Sequence, residues 1–79
     1  MDIKQEVDRR LSQMNTLRDE IRVQLHLASL DAKREWDEKL EPKVLEAEGV
    51  AKQATEATKA ALDEVVTRLE RFARQLSGS

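Results

Sequence analysis

The chain has no cysteine and no tyrosine, a single proline (Pro42), two glycines (Gly49 and Gly78) and only two aromatic rings, Trp36 and Phe72. Without cysteine there is neither a disulfide framework nor a thiolate metal site. A single histidine, His26, has no matched ligand partner, and no Asp/Glu-x-x-His pair of the di-iron type occurs. There is no glycine-rich phosphate loop. No window holds 18 consecutive apolar residues, so no transmembrane helix is expected. No apolar run follows a basic start, so no signal peptide is expected either, and a cytoplasmic location follows as the default. Charge of one sign is also missing: 14 basic and 16 acidic residues give a net charge of −2. The two signs are finely mixed, which argues against strong attraction to DNA or to anionic membranes.

What remains is a chain of 79 residues with 38% charged and 39% hydrophobic residues. Such a composition, poor in turn formers, is the profile of long helices and coiled coils. The length allows one small domain, which buries a modest fraction of its surface alone and often gains stability by oligomerising.

One apolar stripe runs nearly end to end. It starts at Ile3, Val7, Leu11, Met14 and Leu17, passes Ala32, Trp36, Leu40, Val44 and Ala47, and ends at Leu62, Val65, Leu69, Phe72 and Leu76. Every step is three or four residues, and Thr58 is the one polar member. The mean step is roughly 3.65 residues, closer to an almost straight helix than to a supercoiled heptad. Acid-before-base pairs at i, i+4 support the same reading at about 0.3 kcal/mol each. They are Glu6–Arg10, Glu35–Lys39, Glu48–Lys52, Glu64–Arg68 and Glu70–Arg74. The expected fold class is all-α.

Pro42 decides the architecture at this stage. A mid-helix proline costs about 3 kcal/mol, whereas one at the first helical position costs almost nothing. Turning the chain at 41–42 gives an antiparallel hairpin of two long helices, about 2–40 and 43–76, with 77–79 as a disordered tail. The alternative is one long helix kinked at Pro42. In the hairpin Trp36 faces Ala47, Met14 faces Leu69, Leu11 faces Phe72 and Ile21 faces Leu62. The one large ring then faces a small residue near the turn, and the ends close with large pairs. The expected hairpin core is Leu11, Met14, Trp36, Ala47, Leu62, Val65, Leu69 and Phe72.

The stretch 21–30 breaks the one-stripe pattern. On a helix, Ile21, Leu25 and Ala28 share one face, while Val23, Leu27 and Leu30 lie roughly opposite. A helix apolar on two sides needs cover on two sides. Val66 and Ala73 widen the second helix in the same way. Two hairpins packed as a four-helix bundle, or a coiled-coil-like oligomer, would supply the cover, most simply as a C2 dimer. The expected interface is Ile21, Val23, Leu25, Leu27 and Leu30, with a second copy or an unidentified protein as partner.

Chemistry is sparse. Adjacent acids such as Asp37–Glu38 diverge by 100° on a helix and do not converge on one proton or ligand. The hydroxyls lack a positioned base. The expected function is therefore non-enzymatic, a structural or protein–protein interaction module with no cofactor and no small-molecule substrate. His26 reads as a partly buried residue at an interface edge. Two resemblances give alternatives. The long periodicity broken by a proline resembles exchangeable apolipoproteins and some desiccation-tolerance helices, which implies binding to a lipid surface. Residues 21–27 also alternate with period 2, and a strand followed by helices resembles the ribbon-helix-helix class. That would imply a small dimeric DNA-binding protein reading the major groove with Arg22, Gln24 and His26.

Overall fold

The computed structural model describes residues 2–78. Helix α1 spans Ile3–Leu25, α2 spans Leu30–Glu35, a π-helical turn spans Trp36–Leu40, α3 spans Glu41–Val50 and α4 spans Glu56–Gly78. Segments α2, π turn and α3 follow one another without a break, so the chain makes three rods: 3–25, 30–50 and 56–78. The fold is all-α, and no strand occurs among the described residues.

The chain reverses at 26–29 and at 51–55, not at 41–42. Each reversal is set by a hydroxyl cap. The Ser29 side chain accepts from the Ala32 N–H at 3.2 Å and opens the middle rod. Thr55 Oγ1 accepts from the Thr58 N–H at 3.1 Å and opens α4. A capping hydroxyl satisfies an N–H that the first turn leaves without an intrahelical partner.

Pro42 is neither a turn nor a helix end. It lies in the first turn of α3, directly after the π turn, whose last bond runs from the Glu41 N–H to the Trp36 carbonyl. An i→i+5 turn is wider than an α turn. It moves the preceding carbonyls away from the proline ring, whose clash with residue i−4 would otherwise break the rod. The wide turn also aligns Trp36, Leu40, Val44 and Ala47, all buried, because successive steps of four drift off an α-helical line by about 40° each.

Cross-rod contacts give the directions. Arg10 pairs with Asp63, Lys59 with Glu6 at 3.3 Å, and Gln24 with Ser77 at 3.3 Å. All three pairs are 53 residues apart, so α1 and α4 run parallel. Arg18 pairs with Glu48 and Arg22 with Glu41, so the middle rod runs antiparallel to α1. The result is an up-down-up three-helix bundle measuring 41 × 19 × 15 Å. Of the acid–base pairs expected within single helices, Glu64–Arg68 closes at 3.0 Å. Glu6, Arg10 and Glu48 instead reach across to another rod.

The core is continuous through all three rods. Val7, Met14 and Ile21 come from α1, Trp36, Leu40, Val44 and Ala47 from the middle rod, and Leu62, Val65, Val66, Leu69 and Phe72 from α4. Val65 and Val66 are neighbours in sequence and point 100° apart, yet both are buried. Only a helix flanked by two others can bury both. The facing pairs of the two-helix arrangement are accordingly replaced. Trp36 and Ala47 share a rod, and Trp36 stacks on Phe72 with ring centroids 6.1 Å apart and planes at 29°. Helix α4 continues through Ser77 to Gly78, so the expected tail is helical there; Ser79 lies outside the described residues.

Candidate interaction surface

Every residue expected in the core is buried except Leu11, which is partly buried and packs against the core cluster. The five residues expected at an interface divide into two sets. Ile21 is fully buried and Leu25 is partly buried against the same cluster. Both belong to the chain's own core, because the middle rod and α4 cover that side of α1. Val23, Leu27 and Leu30 stay bare, at 70%, 95% and 77% exposed. The stretch 21–30 is thus not one two-faced helix: α1 ends at Leu25, Leu27 lies in the turn and Leu30 opens α2, and only Val23 is bare opposite Ile21 on the same helix.

The bare side lies at one end of the bundle. There the C-terminal end of α1, the 26–29 turn, the start of α2 and the C-terminal end of α4 come together. The end of α1 is tightened by bonds from the Leu27 N–H to the Gln24 carbonyl and from the Ala28 N–H to the Leu25 carbonyl, at 3.1 and 3.2 Å. These shorter turns stop the helix without glycine, and no glycine in the structure has a positive φ. Leu27 is left at the tip of the turn. His26 is exposed beside it, rather than partly buried as expected.

Next to the tip is an open groove of about 350 Å³ lined by Gln24, Leu27, Ala28, Ser29, Ala32 and Leu76. The Gln24 amide forms its wall. Its Nε2 donates to Ser77 Oγ at 3.3 Å, while its Oε1 is buried without a hydrogen-bond partner among the described residues.

Residues 21–25 are the last turns of α1, so the period-2 alternation does not form a strand. Arg22, Gln24 and His26 consequently do not project together from a ribbon. The reason is context: Ile21 and Leu25 fit the helical core position, and helical packing overrides a short alternating pattern. Among the described residues no helix is long and apolar enough to cross a membrane, and no group of His, Cys, Asp or Glu side chains could hold a metal ion.

Sequence reasoning missed the two caps. Ser29 ahead of Asp31, and Thr55 ahead of Glu56, carry the signal of a helix start. Thr58, the polar member of the stripe, is 4% exposed and donates to the Val50 carbonyl at 3.3 Å. It also lies 3.0 Å from the Thr55 hydroxyl. It therefore ties the last turn of α3 to the first turn of α4 across the loop.

Comparison with protein-family models, curated proteins and solved structures gives no match.

Proposed function

We propose that the chain is a non-enzymatic protein–protein interaction module whose working surface is the apolar end at 23–30. The observation that carries this reading is the exposure of Val23, Leu27 and Leu30 on a bundle that wholly or partly buries its other described large apolar residues except Leu45. Full burial of each such side chain is worth about 1.5–3 kcal/mol before the cost of association. Exposed large apolar side chains gathered at one end of an otherwise charged molecule mark a contact site. The lipid-surface reading has less support. Lipid binding of that kind uses the long apolar face of a helix, and here those faces are turned into the core.

A photo-reactive amino acid at position 27 tests the proposal, with one at Asp37, also exposed, as control. In an extract supplemented with lipid vesicles, protein adducts confined to position 27 are expected. Adducts to lipid alone, or equal labelling from both positions, would overturn the reading.

A further inference from the structure

We infer that the 26–29 reversal is a hinge that straightens, so that α1 of one copy leaves its own bundle and takes the same place on a second copy. The product is a domain-swapped dimer built on one continuous rod from Ile3 to Val50. The inference is independent of what the apolar end binds.

Three observations carry it. First, the reversal departs little from a helix. His26 is helical, and the Leu27 and Ala28 N–H groups bond to the Gln24 and Leu25 carbonyls. Ser29, at φ −66° and ψ 162°, already has the φ of a helix, and its carbonyl accepts from the Lys33 N–H at 3.1 Å. Bringing that ψ to the helical value, with the 26–28 turn relaxing from i→i+3 to i→i+4 bonds, runs α1 into α2. The change gives up one cap, from the Ala32 N–H to the Ser29 hydroxyl. It supplies intrahelical partners to N–H groups that the first turn of α2 leaves without them. The 51–55 reversal is held more firmly, because the Thr58 hydroxyl bonds the Val50 carbonyl across it and Thr55 caps α4.

Second, the sequence is in register for the straight rod. No glycine or proline precedes Pro42. Ile21, Leu25, Ala28, Ala32 and Trp36 follow at steps of three or four residues, so the inner face of α1 runs into that of the middle rod without a slip. Val23, Leu27 and Leu30 fall on the other side of that rod, and the exchange does not draw on them.

Third, α1 brings its own interface. It buries Val7, Met14 and Ile21 against the other rods and pairs Arg10 with Asp63, Glu6 with Lys59 and Gln24 with Ser77. The α1 of a second copy is the same segment and makes the same contacts. Lys4, Val7 and Leu11 line one groove with Glu48, Ala51 and Ala54, so α1 and the middle rod lie level about a point near residue 29. Two straight rods crossing antiparallel at that point set each α1 against the other copy's middle rod in the register of the closed fold. Within one chain the short turn holds α1 at an effective concentration on the order of millimolar or more. Exchange therefore competes only in concentrated samples, and it passes through unfolding because α1 must leave the core.

The test heats the protein through its melting transition and cools it, at about 10 µM and at about 1 mM. Sedimentation velocity then reads the mass, and circular dichroism reports folding. The dilute sample is expected to be monomeric and the concentrated one to contain dimer. Ser29→Ala removes the cap and should strengthen the dimer about tenfold, whereas Thr55→Ala should not. Leu30→Pro acts the other way. Ser29 already has the conformation favoured before proline, and Leu30 is the first residue of α2, so the closed fold accepts the change. The straight rod does not, and the dimer should weaken at least about a hundredfold. The chain has no cysteine, so Glu6→Cys with Lys59→Cys can be bridged by a short thiol crosslinker. The bridge should lie within one chain in the monomer and between two chains in the dimer. Wild type and Ser29→Ala that both stay monomeric after the concentrated refold overturn the inference. So does a dimer that survives Leu30→Pro, one bridged only within each chain, or one that Thr55→Ala strengthens as much as Ser29→Ala.

Discussion

Thr58 does the work of a clasp. Its hydroxyl is buried between the Val50 carbonyl and the Thr55 hydroxyl, where an unmade bond is costly. Thr58→Val should destabilise the bundle by about 1 kcal/mol, and Thr55→Ala by about 1 kcal/mol through loss of the cap. Because the two hydroxyls share one network, the double variant should lose less than the sum; simple additivity in urea titrations would show that they act separately. Gly49 is the opposite case. It sits in α3 with no atom within 4 Å of where a Cβ would go, so nothing sterically requires glycine. Gly49→Ala should stabilise by up to about 1 kcal/mol, raising the melting temperature by about 4–8 °C for a domain of this size. An unchanged or lower melting temperature would count against the packing described here. Thr58 was visible in the sequence as an odd member of the stripe. Its partner was not, because Val50 lies across a turn that the stripe does not mark.

The middle rod is where local rules and the final structure part company. Its proline reads as a place to stop, yet the π turn carries the helix through it. With the ring clash already relieved, Pro42→Ala should change stability by less than about 1 kcal/mol, not the roughly 3 kcal/mol of a mid-helix proline. A large gain in a calorimetric melt would mean that Pro42 is strained after all. Core positions behave conventionally: Leu69, with no exposed surface, should cost about 2–5 kcal/mol when cut to alanine. The helical class was legible because a 3.6-residue period over most of the chain has no other reading. The turns were not. Ala28, Ala51 and Ala54 keep the period across both reversals, so the stripe runs on where the chain does not. The signals present, Ser29 and Thr55, are single hydroxyls among many. The exposure of Val23 could be read directly, since it lies opposite Ile21 and Leu25 on α1, whereas Leu27 and Leu30 are bare because one sits in the 26–29 turn and the other opens α2. How much of the stretch the chain covers by itself depends on the number of rods, and that was fixed by two inconspicuous caps.

At the scale of the whole molecule, cross-rod ion pairs set register more than they add stability. Arg10–Asp63, Arg22–Glu41 and Lys59–Glu6 are all at least partly exposed, and pairs of this kind are worth about 0–1 kcal/mol each. Raising salt to about 1 M should therefore lower the unfolding free energy by no more than about 2 kcal/mol in total. A collapse of the cooperative transition in salt would show that charge, not the core, holds the rods. The odd number of rods has a mechanical corollary. Because α1 and α4 run parallel, Ile3 and Gly78 sit at opposite ends of a body 41 Å long. Rejoining them in a circular permutant needs a linker of about 12 extended residues. Tension applied between the same two points drags α1 and α4 past each other along their full length, so their contacts resist together instead of peeling apart one by one. A single molecule stretched from its ends should yield in one abrupt step, and the bundle would serve as a stiff link in any chain that carries load.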